Sequence, residues 1–244
     1  MRAIFRTFIA FIYLASATLA QAGFLINSYQ FGLPPPVLTS IGCTASTTDT
    51  NVYTFTDHAT GTADPNRTTI VGIGGKDNGV DFSISTVTVG GSSAAEQVDS
   101  ANAGSIAQTA IYTIANPTGT TATIIVTFPE AIQGAVVCVW SATNLASPTA
   151  TDFAAAFDTA AGAVNCSLDF AAEGVGVGMS IESENPNTVT WTGMTEIDDG
   201  TIDAGNEAEY SNADHTATTA ESARSVTADW TGAGDAVCAT ASFR

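Results

Sequence analysis

The sequence predicts an all-β fold, an antiparallel β-sandwich of jelly-roll-like type in a single domain. Two observations carry this. Apolar and polar residues alternate at period two through many short runs, as on strands whose successive side chains face opposite ways. Gly, Pro, Asn and Asp recur between those runs about every ten residues, the spacing of sandwiches and jelly rolls. A third observation argues against helices: nowhere does a capping residue precede an apolar stripe of helical period. A closed barrel is the main structural alternative.

The stretch 67–98, RTTIVGIGGKDNGVDFSISTVTVGGSSAAEQV, shows this grammar most fully. Runs 68–74 and 80–89 read as strands joined in a hairpin by the turn-rich GKDNG at 75–79. Gly90-Gly91 supplies the positive-φ positions of a second tight turn, leading into 94–98. Polar residues alternate through the stretch, so its strands are expected to leave one face in solvent. By contrast 121–128 (TATIIVTF) and 135–140 (AVVCVW) are nearly continuous apolar runs, the pattern of central strands covered on both faces.

Before this stretch the chain carries an address. Arg2 and Arg6 precede a short apolar run at 7–19, and Ala20-Gln21-Ala22 matches a small-x-small cleavage site. Residues 1–22 are therefore expected to be a signal peptide and the mature chain to start at Gly23. The run is shorter than the ~20 residues that span a bilayer, so the reading is an exported protein, secreted or held in the periplasm or at the cell surface, with no membrane attachment after cleavage. Residues 23–42 are expected to form an extended arm. The prolines Pro34, Pro35 and Pro36 donate nothing to a sheet ladder, so the arm lies along an edge strand or reaches a neighbouring subunit. Residues 43–244 are the expected sandwich domain.

Further strands are expected at 52–56, with Tyr53 and Phe55 on one face, and at 106–114, 152–157, 163–170, 174–181 and 188–191. The acidic, glycine-interrupted 196–214 (EIDDGTIDAGNEAEYSNAD) has little periodicity and reads as a long exposed loop. Strands resume at 215–220, 225–230 and 236–243.

With 6 Lys and Arg against 24 Asp and Glu, the net charge is −18. That field repels nucleic acid and anionic membranes, which are bound through basic clusters missing here. The acids Asp198, Asp199, Asp203, Glu207 and Glu209, with Glu196, are candidate oxygen ligands for a hard cation such as calcium, although the spacing is not that of an EF-hand. The other reading is a solvated acidic loop.

Four cysteines, Cys43, Cys138, Cys166 and Cys238, stand far apart without a C-x-x-C pair, which argues against a zinc ribbon. An even number in an exported chain points to two disulfides, with three possible connectivities. Cys138 and Cys166 lie in apolar runs, so a buried thiol is the alternative for each. The Gly174-Val175-Gly176-Val177-Gly178 run lacks the dinucleotide-loop spacing; at period two its glycines form a flat strip on which an aromatic ring such as Trp140 or Trp191 can pack. There is no G-x-S-x-G elbow, and the two histidines, His58 and His215, each follow an aspartate at a turn-like position, where a catalytic triad is not expected. No catalytic or cofactor-binding residue is assigned. Asn66-Arg67-Thr68 and Asn165-Cys166-Ser167 match the N-glycosylation sequon.

Several phrases occur together in order: DPNRTTIVGIGG at 64–75, ISTVTVGG at 84–91, PTGTTATIIVTF at 117–128, VWSATNL at 139–145, TVTWTGMTE at 188–196 and the closing ATASFR at 239–244. With FLINSYQFG at 24–32 they resemble a family of uncharacterised phage and prophage proteins. The resemblance implies a β-sandwich virion- or tail-associated module without enzymatic residues. A cleavable export signal departs from that pattern and implies a bacterial copy redeployed outside the cell. The expected function is a non-catalytic structural or adhesive surface module whose partner is itself or an extracellular glycan. The alternatives are a glycan- or calcium-dependent binding module and, remotely, a carboxylate-based polysaccharide hydrolase.

Overall fold

A computed structural model of the chain describes residues 34–77, 83–100, 106–116, 118–159, 162–183, 188–203, 208–232 and 234–244. The expected signal peptide, the arm up to residue 33 and the Asn78-Gly79 turn lie outside the described residues. Residues Pro35–Arg244 form one compact unit, and every regular element described in it is a strand.

In the first half the strands are β1 (Val37–Ser46), β2 (Thr50–Ala59), β3 (Thr68–Lys76), β4 (Thr86–Val89), β5 (Ser92–Ser93), β6 (Ala95–Asp99), β7 (Ala107–Ala115), β8 (Thr121–Ile132) and β9 (Gly134–Thr143). They form an inner sheet ordered β1-β9-β3-β7-β6 and an outer sheet ordered β2-β8-β4-β5. The chain passes back and forth between the two sheets and all pairs are antiparallel, which is the jelly-roll order. In the second half they are β10 (Asp152–Asp158), β11 (Ala163–Asn165), β12 (Leu168–Phe170), β13 (Val175–Glu182), β14 (Val189–Thr192), β15 (Thr195–Asp203), β16 (Ala208–Thr216), β17 (Glu221–Arg224), β18 (Thr227–Trp230) and β19 (Ala236–Phe243). Again there is an inner sheet, β10-β19-β13-β16-β15, and an outer layer, β11-β18-β14 with β12-β17 beside it.

The two halves therefore repeat one topology. β1, β3, β6, β7 and β9 occupy the places that β10, β13, β15, β16 and β19 occupy in the second inner sheet. Local detail agrees. β6 carries a bulge between Glu96 and Val98, and β15 carries the same bulge one hundred residues on, between Glu196 and Asp198. The inner sheets pack face to face, with β1 near β15, β6 near β10, and β3 against β13. The result is four layers and three cores.

The middle core joins the two inner sheets through Ile70, Trp140, Met179, Ile181 and Phe243. The first outer core holds Tyr53, Phe55, Val71, Ile124 and Phe128, and the second holds Leu168, Phe170, Trp191 and Trp230. Close approach of the inner sheets depends on glycine. A Cβ on Gly74 would collide with Ile181, and one on Gly72 would sit 3.0 Å from the Trp140 ring. At the end of β3, Lys76 is 2% exposed and its Nζ donates to the Ser183 carbonyl at 2.9 Å, tying one half to the other.

Several expectations change here. The described parts of the expected hairpin 68–74 and 80–89 do not pair with each other: β3 pairs with β7 and β9, whereas β4 lies in the outer sheet against β8. β3 and β4 thus lie in different sheets, as jelly-roll topology requires. β3 is buried throughout rather than open on one face, because its small residues meet the opposite sheet. β8 is half-exposed along 121–128, since its outer face is open, while β9 is buried on both faces as expected. The Gly90-Gly91 turn is present, with φ of 59° and 81° and Val89 opposite Ser92. Residues 37–42 of the expected arm belong to β1, an edge strand paired with β9. Within the expected loop at 196–214, residues 196–203 and 208–214 are instead paired strands, β15 with β16, because paired backbone outweighs the weak apolar period; residues 204–207 lie outside the described residues. The expected strand 163–170 breaks at Cys166 into β11 and β12, and 215–220 extends β16 only to Thr216.

The glycine strip of β13 is a packing surface. Phe170 lies on Gly176, and Trp191 lies on Gly178, whose added Cβ would be 3.1 Å from that indole and 3.2 Å from the Met194 sulfur. Trp191 is held there by its Nε1 donating to Ser211 Oγ at 2.8 Å. Gly178→Val is expected to lose about 3 kcal/mol through overpacking, read as a lower melting temperature with a changed tryptophan emission.

Candidate functional site

One disulfide is formed, between Cys43 on β1 and Cys138 on β9, residues directly opposite each other in the ladder. Such a bond belongs to an oxidising compartment. Cys166 and Cys238 are free, buried thiols. The Cys166 thiol donates to the Cys238 carbonyl at 3.3 Å, and burial, with Cys166 alongside, pushes the Cys238 thiol well up.

β1 and β2 are edge strands of neighbouring sheets. Between them runs an open groove of about 480 Å³ lined by Gly42, Thr44, Ser46, Thr54, Thr56 and His58, with Cys43 in its wall. A bulge in β2 between Phe55 and His58, with Asp57 at a φ of 53°, turns the histidine. His58 is 9% exposed; its Nδ1 lies 2.9 Å from the Ala59 carbonyl, and its buried Nε2 has no partner among the described residues. The groove is thus a threonine-rich trough, and the unsatisfied His58 Nε2 lies buried behind its wall.

The acids proposed from sequence as cation ligands are spread along one edge. Asp198 and Asp199 are consecutive on β15, Glu209 lies on β16 opposite Thr201, and Asp203 closes β15 opposite Ala208; Glu207 lies outside the described residues. Among the described residues no three His, Cys, Asp or Glu side chains gather as a metal site. The charges do act on neighbours. Burial, then Asp198 and Asp199, pushes the Tyr210 phenol up, and burial, then Asp199, raises Glu196.

His215 has a different setting from His58. Its ring packs edge-on to Phe170 and its Nε2 lies 3.3 Å from Glu221, which also accepts from Arg224 Nη1 at 2.6 Å. Glu221 is desolvated, which alone would raise it, yet the hydrogen bonds from Arg224 and His215 hold it below the usual carboxylate range. Asp214 is raised by burial against a smaller opposing effect of His215. The two acids therefore act on stability with opposite sign. For Glu221 the stabilisation is present above the unfolded pKa and lost as pH falls through the folded one. For Asp214 the ionised form is penalised above its raised folded pKa, and the penalty disappears below the unfolded value. Melting curves should show Glu221→Gln less stable and Asp214→Asn more stable than the parent at pH 7, the first difference shrinking as pH falls below the unfolded carboxylate pKa and the second gone below it.

Of the sequons, Asn66 is exposed in the turn before β3, and exposed Asn165 donates to Ser225 and Thr227 across β11 and β18.

The remaining feature is the set of inner-sheet edges. β1 is bulged between Ser40 and Gly42, β6 between Glu96 and Val98, and β15 in two places while bearing Glu196, Asp198 and Asp199. Bulges and charges are the usual guards against edge-to-edge pairing. β10 has no bulge, and its charges, Asp152 and Asp158, stand only at its two ends. Its seven residues DFAAAFD run against β19 without a register shift. Phe153 is 59% and Phe157 37% exposed, with exposed Ala155 between them, while Ala154 and Ala156 pack inward. Alternation itself made β10 legible as a strand; only the pairing shows that it is an edge.

No family model matches the chain, and no curated protein sequence matches it. Similarity to solved structures is slight. Native yeast LTA4 hydrolase aligns at 11% identity and a TM-score of 0.20, over 74% of this chain and 26% of the hydrolase, so the chain spans about a quarter of that protein. Red clover necrotic mosaic virus aligns at 10% identity and a TM-score of 0.23, over 85% of this chain and 89% of the viral one. Cucumber necrosis virus aligns at 9% identity and a TM-score of 0.24, over 86% and 96%. What the chain's own geometry defines is a tandem antiparallel β-sandwich.

Proposed function

We propose that the chain is an exported, non-catalytic surface module with a structural or adhesive role. The single observation that carries this reading is the smooth apolar edge β10 on a molecule whose three other inner-sheet edges are bulged. An exposed flat strand with aromatic side chains is costly to leave in solvent unless it pairs. The Cys43–Cys138 disulfide, the acidic surface and the phage-like phrases support a module of virion ancestry working outside the cytoplasm. Negative-stain microscopy and adsorption assays on the naturally processed protein test it: ordered assemblies or firm surface retention are expected, and a strict monomer that adheres to nothing would sink the idea.

The open, threonine-lined β1–β2 groove favours a second reading, a glycan-binding module, with the β15 acids offering a weak cation site. Calorimetry with calcium followed by a glycan array separates it from the first; silence in both removes it.

A further inference from the structure

We infer that β10 is a homodimerisation strand that pairs antiparallel with β10 of a second copy about a two-fold centred on Ala155. The inference rests on the structural or adhesive reading and names its partner. The sequence from Ala150 to Ala160, ATDFAAAFDTA, reads identically in both directions. A two-fold at Ala155 sets Phe153 opposite Phe157 of the second copy and Ala155 opposite itself. Both copies then place Phe, Ala and Phe on one face, and aromatic rungs meet aromatic rungs, the cross-strand pairing that stabilises antiparallel ladders. A register slipped by two residues sets every phenylalanine opposite an alanine or a threonine and leaves none with an aromatic partner directly across. The geometry of a C2 dimer, in which one patch meets itself, requires this kind of self-complementarity.

β10 is suited to this because it keeps unbroken register with β19 and leaves Phe153 and Phe157 exposed. Pairing would join the two five-stranded inner sheets into one continuous sheet. The same register sets Asp152 opposite Asp158 of the second copy, twice, and like charges directly opposite each other are destabilising. Both copies are also strongly acidic. A single pair of seven-residue strands buries less than the ~1,200 Å² of a stable specific interface. The dimer is therefore weak, and it tightens as salt screens the acids. A strand from a basic partner protein would do the opposite, losing affinity with salt.

Sedimentation velocity of the naturally processed protein over a concentration series, at low and high salt, tests this. Expected is a monomer–dimer equilibrium favoured by salt. Phe153→Ser with Phe157→Ser should abolish it while the monomer stays folded, the melting temperature falling modestly through the partly buried Phe157 ring. Asp158→Asn should tighten the low-salt dimer about fivefold, by relieving two repulsive rungs. Ala155→Cys should give a dimer linked by a disulfide between the two introduced thiols under mild oxidation. A monomer under every condition, a dimer indifferent to the double serine variant, or one weakened by salt would each overturn the inference. Surface retention or assembly that survives the double serine variant would overturn the β10 pairing alone and leave the proposed function standing.

Discussion

Replacing Arg67 by alanine is expected to remove about 3 kcal/mol of stability, the larger share of which lysine will not restore. Arg67 is 1% exposed, and its guanidinium donates to four backbone carbonyls: Gly61 at 2.7 Å, Thr62 at 3.0 Å, Asn116 at 2.6 Å and Thr118 at 2.9 Å. These acceptors come from the loop before β3 and the turn after β7. One side chain thus clamps the loops that meet at one end of the β3–β7 ladder. Hydrogen bonds from a charged donor contribute roughly 1.5–3 kcal/mol each, less where solvent replaces them, as it can at exposed Thr62 and Thr118. Desolvation lowers the Arg67 pKa against the pull of Asp64, but guanidinium stays protonated at any ordinary pH. A lysine ammonium is a compact charge and cannot span four acceptors in a planar fork. Denaturant unfolding of Arg67→Ala and Arg67→Lys checks this; a lysine variant within about 0.5 kcal/mol of the parent would remove the clamp.

The second large effect is expected from the Cys43–Cys138 bond. It closes a loop with a sequence separation of 95, and constraining the unfolded chain over such a length is worth about 3–4 kcal/mol in practice. Cys43→Ala with Cys138→Ala should lower the melting temperature by more than any single surface change, and reductant should lower the parent's to match. Reductant should leave the double variant unmoved, because Cys166 and Cys238 are already thiols. A reductant effect in the double variant would mean that a second disulfide exists in the protein as made.

The strands were legible wherever side chains alternate between core and water, as at Tyr53 and Phe55 or along DFAAAFD. Pairing was not, because period two marks a strand without naming its neighbour. β3 misled for a specific reason. Gly72 and Gly74 look like a weakly packed face, but they are hollows filled by Trp140 and Ile181 from elsewhere in the chain. The same compensation hides the repeat. β3 and β13 hold equivalent places in the two inner sheets, yet Gly74 and Ile181 differ in volume because they pack against one another across the middle core. The acidic 196–214 stretch misled in the other direction, since its backbone pairing needs no apolar pattern. Of the functional features, the disulfide pair was one of several possibilities until Cys43 and Cys138 were placed opposite each other. The Arg67 clamp and the buried His58 nitrogen left no pattern, since side-chain bonds to backbone carbonyls have no sequence period. β10 carried its palindrome openly, but only the sheet order makes it an edge.

The central claim, an exported and disulfide-stapled surface module, is tested most directly by the intact mass of the protein recovered from fractionated producing cells without reductant. Expected is a chain lacking residues 1–22, lighter by two hydrogens for one disulfide at Cys43–Cys138, in the envelope or external fraction. A full-length chain beginning at Met1 with four free thiols in the cytoplasmic fraction would contradict it.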